Sequence, residues 1–524
     1  MEGFRLFWGD FHTHLEDLSR GDDILREARE NIDFYAVLCY PFVWDVKNGL
    51  RVEGTGQRPE FLDWWKVHTR LAAEHNDPGR FTTFLGYEWH GNRKRWGDHN
   101  VIYREGVGEL DPTWELPDLL AQLKGKAAFA IPHHTAYTPG FRSKDWSCFD
   151  PELSPVMEMM SLHGSSEGAD SPWRMIGNSS MGPRSSGTTL QDALARGLRI
   201  GVIASNDSPG LPGRWNKGRA GVWAKDNTRE ALWEAIAARR TFAATGDRIA
   251  LDFALVPSSD EGAGGVPMGS FGRSPRETEA RVRVVGSHAI DRVELLHDGV
   301  VAQTYCHGGR WEKEDPDSRG LSSKRWKLRV VAGWGPSVSY NFDPPATWPW
   351  ECRLSVEGGS LAGVEKCFDL MGQRVRTLTP RACAFHLETA GRNPRDPNGM
   401  TQGLVFEIEG SPRTRILLEA EGARVEKTLA ELAEGPYVHP LIDEAKRLTL
   451  ERFNLDETAV GNPDHYYHNA RKIKLHRAVP EAAWRVEHEF PIALHPGVNS
   501  LYVRVTQTNG QMAWSSSVWV ECPA

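Results

Sequence analysis

Along the first 250 residues, short apolar runs alternate with stretches in which apolar positions recur every three or four residues. The runs at 6–10, 34–38, 82–86, 126–131, 156–160, 200–204 and 241–245 predict strands. The spacing predicts helices over 22–31, 59–75, 189–196 and 228–240, with Asp22 or Gly21 able to cap the first and a proline near the start of the second. Strands alternating with helices imply parallel β-α units, and six or seven of them in this length predict an α/β barrel. Near residue 252 the pattern changes. Residues 258–274 are rich in Gly, Ser and Pro, and period-two alternation follows at 280–285, 291–296, 326–331, 499–507 and 515–520. That predicts a β-sandwich-like C-terminal region. The expected layout is a barrel over 1–252, a linker or loop over 253–274 and a β-rich accessory region over 275–524. An insertion at about 341–484 is left open, with a helix over 442–447. Segments 275–340 and 485–524 are expected to share one sheet system.

Composition narrows the class. With 524 residues, two or three domains are expected. No apolar run approaches the ~20 residues a membrane helix needs, and the N-terminus has no signal-peptide pattern. Seven scattered cysteines without a Cys-x-x-Cys argue against a disulfide framework and fit a reducing cytoplasm. A net charge of −8 gives no support to nucleic-acid binding. Packing is the expected role for most of the 20 tryptophans.

Chemistry-bearing residues gather where the predicted strands end. His12 and His14 stand at i, i+2 after the first run, so an extended chain turns both imidazoles the same way. Glu88 follows the third strand, and His133 and His134 the fourth. Glu158 lies on the fifth, with His163 beyond it, and Asn206 and Asp207 follow the sixth. In a barrel these loops form one mouth. Imidazoles and carboxylates converging there would make a divalent-metal site.

Several segments carry a resemblance to the PHP (polymerase and histidinol phosphatase) superfamily, and within it to the branch known as domain of unknown function 3604. They are Gly9-Asp-Phe-His-Thr-His14, Phe84-Leu-Gly-Tyr-Glu-Trp89, His99-Asn-Val-Ile-Tyr103, Ile131-Pro-His-His134, the stretch from Met157 to Glu167, and Arg239-Arg-Thr-Phe-Ala-Ala-Thr-Gly246. Near the C-terminus, Tyr502-Val-Arg-Val-Thr-Gln507 and Ala513-Trp-Ser-Ser516 belong with them. The resemblance implies a distorted (β/α)7 barrel holding a metal cluster. Carried over, it implies a first metal on His12, His14, Glu88 and Asp207. Glu88 would bridge to a second metal held by His99 and His133, with His134 able to replace His133. Three-metal members have further histidines where this chain reads Cys39-Tyr40, Asp207-Ser-Pro209 and a histidine-free 15–21. Losing one whole site while keeping two implies a dinuclear centre, with Cys39 a packed thiol.

Two divalent ions about 3.5–4 Å apart can share a water and lower its pKa toward neutrality. Asp10 could fix the tautomer of a ligand imidazole. His163 or Glu167 could pass a proton to the leaving group, and His163 could instead be a ligand. Mixed His and carboxylate donors suit Zn, Mn or Fe. Arg93, Arg95, Arg214, Lys217 and Arg219 lie in loops expected over the site, where they would hold a small anionic substrate, with Trp96 and Trp215 stacking on a ring. Phosphoester hydrolysis is the first expectation. The alternatives are a hydrolase or lyase acting on a C–O or C–N bond of a carboxylated or glycosidic compound, and a non-catalytic binding module. No nucleic-acid or membrane partner is expected, and a homo-oligomer is left open.

Overall fold

A computed structural model describes residues 1, 3–54, 58–175, 182–257, 265–311, 324–336, 347–390 and 401–523. The chain divides into two compact units. One comprises Met1–Val285, Asp291–Cys306 and Val486–Ala524; the other comprises Gly286–Ile290 and His307–Arg485.

The first unit is built on nine strands: β1 (Arg5–Asp10), β2 (Phe34–Cys39), β3 (Thr82–Trp89), β4 (Asp98–Tyr103), β5 (Ala128–His133), β6 (Val156–Ser161), β7 (Gly201–Ala204), β8 (Arg219–Ala224) and β9 (Thr241–Ala244). Their hydrogen-bonded order is β9-β8-β1-β2-β3-β4-β5-β6-β7. Every residue of β2 to β7 is buried, as in strands covered on both faces. Phe7, Phe34, Phe84, Ile102, Phe129 and Ile203 share one core cluster. Around them stand α1 (Gly21–Asn31), α2 (Pro59–Glu74), α3 (Leu116–Leu123), α4 (Leu190–Ala195) and α5 (Arg229–Ala237). Thr189 and Asp192 close a capping box at the start of α4, and the Thr228 hydroxyl caps α5.

The expected (β/α)7 barrel is corrected in two respects. First, β4 runs antiparallel to both β3 and β5. Only eight residues separate β3 from β4, whereas a parallel crossover needs a dozen or more. The chain therefore turns straight back, and Asp98 starts β4 beside the ends of its neighbours. Second, among the described residues no ladder joins β7 to β8 or β9; Ser208–Pro209, just beyond β7, pairs in parallel with Thr13–His14, just beyond β1. Instead β9 pairs with Met512–Ser515, which carries the sheet into Gly497–Gln507 and Val518–Cys522. The sheet so formed is mixed and has 18 strands.

Residues 258–264 of the expected linker lie outside the described residues; Val266–Pro267 and Phe271–Arg273 are short strands. Ile290–His297 joins the sheet of Gly497–Gln507, whereas Arg325–Gly333 belongs to a nine-stranded sheet in the second unit. Two long antiparallel strands dominate that sheet, Thr347–Cys367 and Thr401–Ala420. The expected helix at 442–447 runs over Ile442–Phe453. None of the seven cysteines is in a disulfide. Among the described residues no helix is long and apolar enough to cross a membrane.

Gly9 fixes the approach of β1 to β2. It pairs with Phe34, and a Cβ at Gly9 would lie 2.1 Å from the Phe34 ring. That ring is fully buried against Phe11, 5.1 Å away between centroids. Gly9→Ala is expected to cost about 1–3 kcal/mol, read as a lower denaturation midpoint. In a Phe34→Leu background the cost should shrink, and equal costs in both backgrounds would show that the ring is not what Gly9 accommodates.

Candidate metal centre

Asp10 ends β1 and shapes the turn after it. Its carboxylate accepts the His12 N–H at 2.8 Å, the Thr13 hydroxyl at 2.6 Å and the Gly213 N–H at 2.7 Å. The chain therefore turns inward and carries both histidines with it. His12 Nδ1 lies 2.8 Å from Glu158 Oε2. Its Nε2 lies 3.4 Å from Glu88 Oε2 and 3.3 Å from Asp207 Oδ1. His14 Nε2 is 2.8 Å from Glu88 Oε2 and 3.9 Å from Asp207 Oδ1. Tyr40 stacks on the His14 ring at 4.2 Å. The neighbouring Cys39 thiol is buried, which pushes it up to about 12.

A second group stands beside the first. His163 Nε2 lies 3.2 Å from Asp207 Oδ2, and its Nδ1 is hydrogen-bonded to the Tyr137 hydroxyl. The His134 ring is 4.7 Å from that of His163. Asp207 thus presents Oδ1 to His12 and His14, and Oδ2 to His163. His133 ends β5 with its ring 4.2 Å from that of His12, and its Nε2 is 3.7 Å from Glu88 Oε1. His90 Nε2 approaches the same oxygen at 3.2 Å. Three overlapping donor sets result: His12, His14 and Glu88; His12, His133, Glu158 and Asp207; and His134, His163 and Asp207. His134, Arg142 and Asp207 all have positive φ, at 33°, 66° and 54°. Such backbone conformations are uncommon outside glycine and collect at functional sites.

The charges call for a cation. Glu88, Glu158 and Asp207 are buried, and among the described residues their ion-pairing partners are all imidazoles. Burial raises the Asp207 carboxyl to about 7 despite the nearby His12. Burial opposes protonation of His12, but Asp207 and Glu158 outweigh it and hold the ring well above its ordinary value. Against the same burial, Glu16 and Glu88 raise His14 to about 9. His133 and His134 go the other way, driven neutral chiefly by burial, and His163 falls to about 3 for the same reason. Among the described residues, both ring nitrogens of His133 and Nδ1 of His134 have no hydrogen-bond partner. The neutral His133, His134 and His163 imidazoles beside buried carboxylates fit a divalent ion of the Zn, Mn or Fe kind.

The structure therefore brings together His12, His14, Glu88, His133, His134, His163 and Asp207. His99 does not join them. The β3–β4 register sets Glu88 opposite Asn100 and Trp89 opposite His99. Side chains alternate along a strand, so His99 shares the Trp89 face and its ring lies 5.9 Å from that indole. On the Glu88 face stands Asp98, bound to Arg142 at 2.6 Å and Arg93 at 3.0 Å. Those two guanidiniums hold its carboxyl well below the usual range in spite of burial.

Other expected roles change as well. Asp10 binds backbone and the Thr13 hydroxyl, and the partner of His12 Nδ1 is Glu158. Glu167 is tied to Arg504 at 3.0 Å and the Tyr502 hydroxyl at 2.9 Å, so it passes no proton. His163, held neutral, suits a ligand better than an acid. Arg219 is fully buried and holds Gly213 O at 3.0 Å, which makes it a brace for its loop. Arg95 lies over the Trp96 ring, and Arg214 and Lys217 are buried. Trp96 and Trp215 give their indole N–H groups to Glu115 and Asp247.

Three contributors carry signals of different strength. Glu158 is an acid inside the apolar strand Val-Met-Glu-Met-Met, and His90 repeats with Glu88 the i, i+2 spacing of His12 and His14. Arg142 sits in a loop with no such pattern.

Comparison with known proteins adds context. A family model described as a protein of unknown function (DUF3604) matches residues 41–141 and 204–256, which include Glu88, His133, His134 and Asp207. A protein of Chlamydia pneumoniae described as uncharacterized is 28% identical over 367 residues, covering 64% of this chain and 54% of its own. An uncharacterized protein of Chlamydia muridarum is 24% identical over 345 residues, covering 60% and 51%. The chain thus spans about half the length of the curated relatives it matches. Among solved structures, a two-domain protein from Bacteroides vulgatus is described as containing a predicted PHP-like metal-dependent phosphoesterase. It overlays with a TM-score of 0.32 at 13% identity, covering 56% of this chain and 80% of that one, a likeness too weak to bear on the site.

Proposed function

We propose that the protein is a metal-dependent hydrolase with two divalent ions, acting on a small anionic ester, a phosphoester first. The first ion would take His12, His14 and Glu88, and the second His134 and His163, with Asp207 shared between them. One observation carries this reading: the two oxygens of Asp207 face two different sets of imidazoles. Bound there, divalent ions would polarise an ester oxygen and lower the pKa of a water.

The remaining residues have roles of their own. Glu158 accepts the Nδ1 proton of His12, which leaves the Nε2 lone pair turned inward. Tyr137 can accept the Nδ1 proton of His163 in the same way. Arg142, bound to Asp98, sets a permanent positive charge beside the imidazoles, suited to an anionic substrate.

Two experiments test this reading. Elemental analysis of purified protein should find about two equivalents of Zn, Mn or Fe. The His12→Ala/His14→Ala variant should hold less than half of that and lose at least a hundredfold in phosphomonoester turnover. Wild-type metal content near zero would sink the proposal.

The second is metal affinity against pH. In the metal-free fold, Asp207 keeps a proton up to about 7 and His14 up to about 9. Both are above their unfolded values, so their contribution to metal-free stability is complete below about pH 4 for Asp207 and 6.5 for His14. It is lost as the pH climbs through 7 and 9 respectively. Metal binding must expel both protons. Affinity should therefore rise between pH 6 and 9, by up to about tenfold per pH unit for each proton released. Competition with a chromophoric chelator measures this, and a flat profile would contradict it.

A further inference from the structure

A cavity of about 260 Å³ adjoins the ligand groups, and Glu88 and His90 both line it. Its other walls include Phe42, Phe61, Trp89 and Trp114. The ring-lined wall is continuous with the candidate metal centre. His14 stacks on Tyr40, Tyr40 meets Phe42 at 5.5 Å, and Phe42 meets His90 at 5.0 Å. The His90 side chain is nine-tenths buried, and its Nε2 lies 3.2 Å from Glu88 Oε1. Trp114, by contrast, leaves 54% of its surface exposed. Gly91 lets the strand-end loop lie against these rings, since a Cβ there would come within 2.0 Å of the Trp89 indole and 2.4 Å of Trp114 O.

Two acids on the lining are already engaged. Glu53 pairs with Arg93 at 3.6 Å, and Asp111 accepts the Thr113 N–H at 2.8 Å. The lining is mainly rings and apolar groups, with Glu88, Asn92, Arg93 and Lys94 among its polar members. Ligand sites commonly combine mostly apolar walls with a few convergent polar groups. The volume lies just below the ~300–1,000 Å³ typical of such sites, which suits one ring rather than an extended chain.

From this we infer that the cavity takes the organic half of the substrate, a single flat ring, while the ester's anionic group lies at the imidazoles and carboxylates. The anionic half rests on the proposed hydrolase reading; the ring rests on the cavity alone.

The test compares benzylphosphonate with methylphosphonate, titrated by calorimetry into the metal-loaded full chain. Neither can be hydrolysed, so binding is read apart from turnover. Benzylphosphonate should bind at least tenfold more tightly. Trp114→Ala, at an exposed position, and Phe42→Leu should each cut that ratio at least threefold. Equal affinities, no binding of either probe, or a ratio unchanged in both variants would overturn the inference. Turnover of benzyl and ethyl phosphates separates the two claims. Tight benzylphosphonate binding with neither ester cleaved would sink the hydrolase and leave the cavity standing. Cleavage of both with equal KM would do the reverse.

Discussion

Three buried carboxylates stand among imidazoles with, among the described residues, no lysine or arginine at ion-pair distance. Burying such a group without compensation is costly, so the local structure has to supply positive charge. In the protein alone, protonated His12 and His14 supply it, and Asp207 lowers the demand by keeping its proton. A divalent cation meets the same demand with less protonation. The other arrangements answer to it as well: Glu158 on His12, Tyr137 on His163, and Asp98, 3.3 Å from His134 Nε2, paired with its two arginines.

Much of this could be read from the sequence, for a plain reason. His12, His14, Glu88, His133 and Asp207 stand at or just beyond strand ends, where side-chain alternation and chain direction fix where a group goes. His99 misled because its strand could not be recognised. Asp-His-Asn-Val-Ile-Tyr has a short apolar core, and its direction depends on the length of the preceding loop. Once β4 runs antiparallel, alternation places Asp98 rather than His99 on the Glu88 face. The partner of β9 could not be read for a different reason. Nothing in the local pattern of residues 241–244 says that their partner lies at 512–515. Arg142 and Tyr137 belong to a loop whose path is set by tertiary contacts, so no periodicity marks them.

Some of the uncommon backbone geometry falls in the same place. Two of the candidate ligands, His134 and Asp207, and the cation Arg142 adopt left-handed backbone. Aspartate and histidine visit this region more readily than most residues; arginine does so less often. The Asp207 amide is held by His12 O, so one candidate ligand fixes the backbone of another. A site braced in this way presents its donors before anything binds, which lowers the reorganisation needed on binding.

The pairing of β9 with Met512–Ser515 has a consequence for how the molecule forms. Phe242 finds Ser515 only after the entire second unit has been synthesised. Until then β9 has an open edge on the side away from β8, and an open edge invites pairing with other chains. Contacts this distant along the chain are slow to close. The nascent chain therefore carries an exposed β-edge on the sheet that bears the candidate ligands through most of translation, and completion of the first unit waits for the last strands to arrive.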